Sequence, residues 1–78
     1  MDILADLSRI FREIFDDEAL SVTVETGPDT LEDWDSIAQV KLVLAVEMEY
    51  GIRFTTDEVA GIHCVGDFVT LVNRHLGR

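Results

Sequence analysis

Ile3, Leu7, Ile10 and Ile14 are spaced by four, three and four residues, which commits the start of the chain to an amphipathic helix. Leu4, Phe11 and Phe15 lie alongside and widen the apolar stripe, so the helix is expected from Asp2 to about Phe15. Arg9, Arg12 and Glu13 fall between the apolar positions and are expected to face water. A second helical pattern begins at Ser36. There Ile37, Val40, Leu44 and Met48 follow a helical period, with Val43, Val46 and Tyr50 widening the stripe and Gly51 as the stop, and Val43, Leu44 and Met48 read as ordinary core residues.

Ser36-Ile37-Ala38-Gln39 fits a capping box, in which the serine oxygen and the glutamine side chain satisfy backbone N–H groups at the helix start. Thr55-Thr56-Asp57-Glu58 fits another and opens a helix of one or two turns before Gly61. The last helix is expected from about Gly66 to Leu76, with Phe68, Val69, Leu71, Val72 and Leu76 inward and Gly77 at its end. Residues 17–35 keep no sustained period and contain the turn signal Gly27-Pro28-Asp29. Leu20, Val22 and Val24, with Leu31, read as pegs that hold this loop on the core. The expected fold is therefore all-α. It is a small four-helix bundle of three longer helices and one short third helix, with a long loop between helices one and two. Residues 1–78 are expected to form one domain. A loop this long in so short a chain tends to be functional, and it is expected to be the most mobile segment.

The charge narrows the partners. Sixteen acidic and six basic side chains leave a net charge of −10, which disfavours nucleic acid and anionic membranes and suits steering toward basic protein surfaces. Residues 1–35 hold eleven of the acids with two arginines, so the negative field belongs mainly to the first half. No basic leader or long apolar run is present, and the single cysteine, Cys64, has no partner for a disulfide or a zinc site, so a cytoplasmic protein is expected.

Ser36 has two readings. It is a helix N-cap, or it is a site of covalent modification. A phosphodiester there would lie at a helix N-terminus, where free N–H groups and the macrodipole favour an anion. A hydrolase nucleophile is disfavoured, because no nucleophile elbow surrounds Ser36 and both histidines, His63 and His75, lie in the final quarter. Those histidines lack ligand spacing, no EF-hand loop is present, and Cys64 reads as a small residue opening helix four. No catalytic or metal-binding residue is expected.

The motif "DSI" at the mouth of helix two resembles the D-S-L signature of acyl and peptidyl carrier proteins, with Ile37 in place of leucine. The resemblance extends over nearly the whole chain. It takes in the first helix, the long loop, "WDSIAQVKLVLAVEMEYGIRF", "TDEVAGI" and "VGDFVTLVNRHL". It implies a non-catalytic carrier, expected to be monomeric, to which a phosphopantetheinyl transferase adds 4′-phosphopantetheine from coenzyme A at Ser36. The arm would then carry an acyl or aminoacyl thioester from a loading ligase to downstream synthases or transferases. The same resemblance makes Asp35 a recognition residue for the transferase.

Around this motif the expected partner surface comprises Asp33, Trp34, Asp35, Ile37, Ala38, Lys41, Glu47 and Met48. Trp34 stands where fatty-acid carriers have a small residue, and it reads as a half-buried staple or as an exposed contact for the arm or a partner. In those carriers the outer face of helix two is rich in carboxylates. Ala38, Lys41 and Met48 occupy comparable positions here and leave only Glu47 and Glu49, which implies a specialised carrier rather than a housekeeping one. The competing expectation is a small acidic helical interaction module, without a prosthetic group, that binds a partner through helix two.

Overall fold

The computed structural model describes residues 2–77 as four helices: α1 (Ile3–Ile14), α2 (Ser36–Tyr50), α3 (Thr56–Ala60) and α4 (Val65–His75). The all-α bundle with a long α1–α2 loop is thus as expected, and the α1, α3 and α4 boundaries fall within a residue or two of the sequence reading. Asp2 caps α1 by accepting from the Ala5 N–H at 3.1 Å. Thr55 and Glu58 make the reciprocal capping box that opens α3. Gly51 ends α2 at φ 64°, a left-handed conformation that disfavours residues with a Cβ.

The core forms where α1 packs on α2 and α4. Leu7 and Phe11 of α1, Leu42 and Val46 of α2, and Val65, Phe68 and Val72 of α4 are fully buried in it. Two polar links tie α1 to α2 at the edge of this core. The Tyr50 hydroxyl donates to Asp6 Oδ2 at 2.8 Å, and Arg9 pairs with Glu49 at 2.8 Å. Burial and the adjacent Asp6 carboxylate push the Tyr50 phenol well above its ordinary pKa, so it stays protonated and donating.

The inward face of α2 differs in part from the expected one, since Val43 is buried as read but Leu44 and Met48, also read as core, are exposed. Ala38, Leu42, Val43 and Val46 are the buried residues, whereas Ile37, Val40, Leu44 and Met48 are 68%, 59%, 54% and 84% exposed. The helix is apolar nearly all round, so it carries two stripes of helical spacing. Packing against α1 selects the stripe that ends on Tyr50 and Glu49, whose polar tips reach Asp6 and Arg9.

The long loop forms no strand and is tied down at several points. Val22 is buried and Leu20 and Leu31 pack partly on the core, as pegs, but the Val24 side chain is 49% exposed. Val24 contributes through its backbone instead. Its carbonyl accepts from the Gly66 N–H at 2.9 Å, and the Thr26 carbonyl accepts from Val65 at 2.8 Å. These carbonyls serve the first turn of α4, where Cys64 sits at the N-cap without a side-chain cap bond. Gly27 permits this approach, since a Cβ there would lie 2.6 Å from the His63 carbonyl oxygen.

Gly27→Ala is therefore expected to lower stability by about 1–3 kcal/mol, because the backbone of one segment must shift away from the other. Equilibrium urea unfolding checks this. Glu58 supplies a second test. The Thr55 backbone N–H and the His75 ring, 3.0 Å away, hold its carboxyl below the ordinary carboxylate pKa. The unfolded chain takes up that proton first as pH falls, so this contribution is present above the ordinary glutamate pKa and is lost as acid protonates the folded group. Glu58→Gln should flatten the acid limb of the stability–pH curve, and an NMR titration should find Glu58 titrating below an ordinary glutamate.

Candidate functional site

Trp34, Asp35 and Ser36 have three different roles in succession. Trp34 is buried, with its indole 5.2 Å from the Phe11 ring at 77° and 6.3 Å from the Phe68 ring at 23°. Its Nε1–H donates to Gln39 Oε1 at 2.7 Å. A buried indole N–H needs an acceptor, and the first turn of α2 provides one. Trp34 is a core anchor, more deeply buried than the half-buried staple expected, and it is not an exposed partner contact.

Asp35 is the N-cap. It is extended at φ −103° and ψ −170°, and its Oδ1 accepts from the Ala38 N–H at 2.9 Å. The expected Ser36–Gln39 capping box is therefore displaced. A carboxylate one residue earlier takes the third N–H of the helix, and Gln39 is engaged by the indole. Ser36 becomes the first helical residue. It is exposed, and among the described residues its hydroxyl makes no hydrogen bond. The amides of the first turn that Asp35 leaves unserved point the same way and favour an anion there.

Beside Ser36 lies an open cleft of about 470 Å³ between the loop, α2 and α3, lined by Pro28, Trp34, Asp35, Ser36, Gln39, Val59, Ala60 and Ile62. One wall holds polar groups of the α2 mouth and the other is apolar, from Val59 to Ile62. An elongated group attached to Ser36 Oγ has room to lie along it.

The remaining residues expected at the partner surface divide. Asp33, Ile37, Lys41 and Met48 are exposed. Ala38 is buried, because the i+4 spacing to Leu42 places it on the core side of α2, so it is removed from that surface. Glu47 is partly buried and accepts from the Phe54 N–H at 2.8 Å, which holds the turn after α2. Val40 and Leu44 are exposed on the same side as Ile37 and Met48, although the sequence reading placed Leu44 in the core and named neither for the partner surface. The signal that would have found them is the competing stripe Ala38–Leu42–Val46–Tyr50, whose terminal hydroxyl needs a polar edge.

No protein-family model matches the chain. Among curated proteins, 73 residues align at 30% identity with an acyl carrier protein of Rhodococcus erythropolis, covering 94% of this chain and 80% of that protein. The chain belongs to the acyl carrier protein family. The meromycolate extension acyl carrier protein of Mycobacterium leprae is 29% identical over 73 residues, and the carrier chain described here spans 64% of that relative. The solution structure of holo acyl carrier protein from Geobacter metallireducens superposes with a TM-score of 0.90 at 36% identity, covering 100% of this chain and 90% of that one.

Carriers of this family bear a covalently attached phosphopantetheine. The residues present fit such a group: an exposed, unengaged hydroxyl at a helix N-terminus, beside a cleft with one polar and one apolar wall.

The displaced cap gives a direct test. Asp35→Ala should cost about 1 kcal/mol of stability, whereas Ser36→Ala should cost a few tenths or less. A larger loss from Ser36→Ala than from Asp35→Ala in thermal unfolding would restore the serine as the cap.

Proposed function

We propose that the chain acts as one non-catalytic unit that bears 4′-phosphopantetheine on Ser36 and conveys a thioester-linked acyl or aminoacyl group between enzymes. The observation that carries this reading is the Ser36 hydroxyl, exposed and relieved of helix capping by Asp35. In the loading step Ser36 Oγ gives up its proton and takes the phosphopantetheinyl group of coenzyme A as a phosphodiester, with the nucleotide half released. A phosphopantetheinyl transferase supplies that chemistry. When bound, the arm supplies a terminal thiol that holds the cargo as a thioester.

The chain's own residues present and orient. Asp35 fixes the first turn, so Ser36 Oγ is offered on a rigid element rather than a loose loop. Trp34 holds that turn against α1 and α4, while Gln39 accepts its indole N–H. Asp33 and Asp35 keep negative charge at the mouth of α2, suited to a basic rim on the transferase. The cargo is taken to belong to a specialised biosynthesis in the cytoplasm. Both glutamates of α2 are engaged within the chain, by Phe54 and by Arg9, which leaves its outer face poor in the carboxylates that fatty-acid-type partners meet.

A second reading, an interaction module without a prosthetic group, draws on the exposed apolar residues of α2. Intact mass spectrometry separates the two. Incubation with coenzyme A and a promiscuous phosphopantetheinyl transferase should add one phosphopantetheinyl group to the chain and none to Ser36→Ala. Absence of any gain with several transferases would leave the interaction module in its place.

A further inference from the structure

A group carried on Ser36 has two places to lie: the open cleft beside the serine, or the bundle interior beneath it. The Trp34 indole is the boundary between them. Of the residues that line the cleft only Trp34 and Ile62 are buried, so they form its floor, whereas Pro28, Asp35, Ser36 and Ala60 stand at its rim.

What lies under that floor is close-packed. The indole is edge-on to Phe11 at 5.2 Å and stacked on Phe68 at 6.3 Å. Phe68 in turn meets Phe11 and Phe54, each with ring centroids 6.4 Å away. Phe11 and Phe68 are fully buried, as are Leu42 and Val46 of α2 and Val72 of α4. An interior packed in this way admits an alkyl chain only by displacing side chains. A chain entering from Ser36 must drive the indole off both rings and break its 2.7 Å hydrogen bond to Gln39. Apolar indole surface would then return to water and offset the methylenes gained. The opposite wall is held too, because Glu58 of α3 meets the His75 ring of α4 at 3.0 Å.

Resting on the carrier reading, we infer that Trp34 closes the bundle interior to the cargo of Ser36, so the thioester group stays in the outer cleft and the chain serves short acyl groups, amino acids included, rather than long alkyl chains. The cleft suits that class. Its apolar wall is limited to Val59, Ala60 and Ile62, so a long chain would leave most of its methylenes in water. Gln39 gives its carbonyl to the indole, and among the described residues its amide nitrogen makes no hydrogen bond, which leaves a donor for a polar group lying there.

The test uses the full chain, loaded at Ser36 by a phosphopantetheinyl transferase from acetyl-, butyryl-, octanoyl- or dodecanoyl-coenzyme A and verified by intact mass. A chain held inside would stabilise the fold and lift the thermal midpoint by several degrees. The four midpoints should instead agree within about 1 °C. The Leu42 and Val46 methyl signals in NMR should coincide across the series, with changes confined to Gln39, Val59 and Ala60. Hydroxylamine should cleave each thioester as fast as it cleaves the matching coenzyme A thioester. Trp34→Ala vacates the floor, and its octanoyl form should melt several degrees above its own acetyl form as the chain fills the space.

A parent midpoint that climbs with chain length, displaced Leu42 or Val46 signals, or a dodecanoyl thioester protected severalfold would each overturn the proposal. A folded Trp34→Ala indifferent to chain length would remove Trp34 as the closing residue. Should that variant not fold, the parent series still decides. Failure of Ser36 to gain mass would instead remove the carrier reading, so the two failures are distinguishable.

Discussion

The Trp34 indole ties the end of the long loop and the start of α2 to the core. It sits edge-on to Phe11 of α1, stacks on Phe68 of α4, and passes its N–H to Gln39 of α2. One side chain from the end of a loop thereby fixes the start of α2 against two other helices. The next residue caps that start, and the one after it is presented to solvent. Anchoring, capping and display need three consecutive residues because each occupies a different direction from the chain. An aromatic faces inward, a carboxylate turns back over the first turn, and a hydroxyl is left outward. Replacing the indole by a side chain without a donor would leave Gln39 free to compete for the helix amides, so the anchor also governs how the cap is made.

The rest of the bundle serves this arrangement with few polar groups. Tyr50 to Asp6 and Arg9 to Glu49 hold α2 against α1 at the end away from Ser36. Glu58 and His75 pin the short α3 to the last turn of α4, which keeps Val59 and Ala60 beside the cleft. A five-residue helix has no stability of its own. Its capping box and this link, together with Val59 and Ile62 packed on the core, hold the apolar wall of the cleft in place.

Much of this was legible in the sequence, for identifiable reasons. Helices α1, α3 and α4 carry one apolar stripe or a reciprocal capping box, so each signal has one interpretation. The resemblance carried by "DSI" pointed to the acyl carrier family, which the relatives bear out. The orientation of α2 was not legible, because a helix apolar nearly all round has no single inward side. The partners that Tyr50 and Glu49 meet lie on α1, dozens of residues away, so the choice between the stripes of α2 has no local signal. The cap was misplaced by one residue because Ser36 and Asp35 are both good cappers, and the competing demand of a buried indole for Gln39 is a tertiary fact. The loop pegs were half legible. Val22 acts through its side chain, but Val24 acts through a carbonyl, which has no sequence signature.

That carbonyl has a consequence for how the chain can change. The first turn of α4 lacks a side-chain cap of its own at Cys64 and borrows Val24 and Thr26 from the loop, across a gap that Gly27 keeps narrow. The loop and the α4 start are thus one structural unit divided between distant parts of the sequence. Exchanging the loop between carriers while keeping the recipient's last helix separates a cap from the helix it closes. A graft that respects the unit takes residues 22–27 together with 63–66, and leaves Trp34 with the helix it anchors.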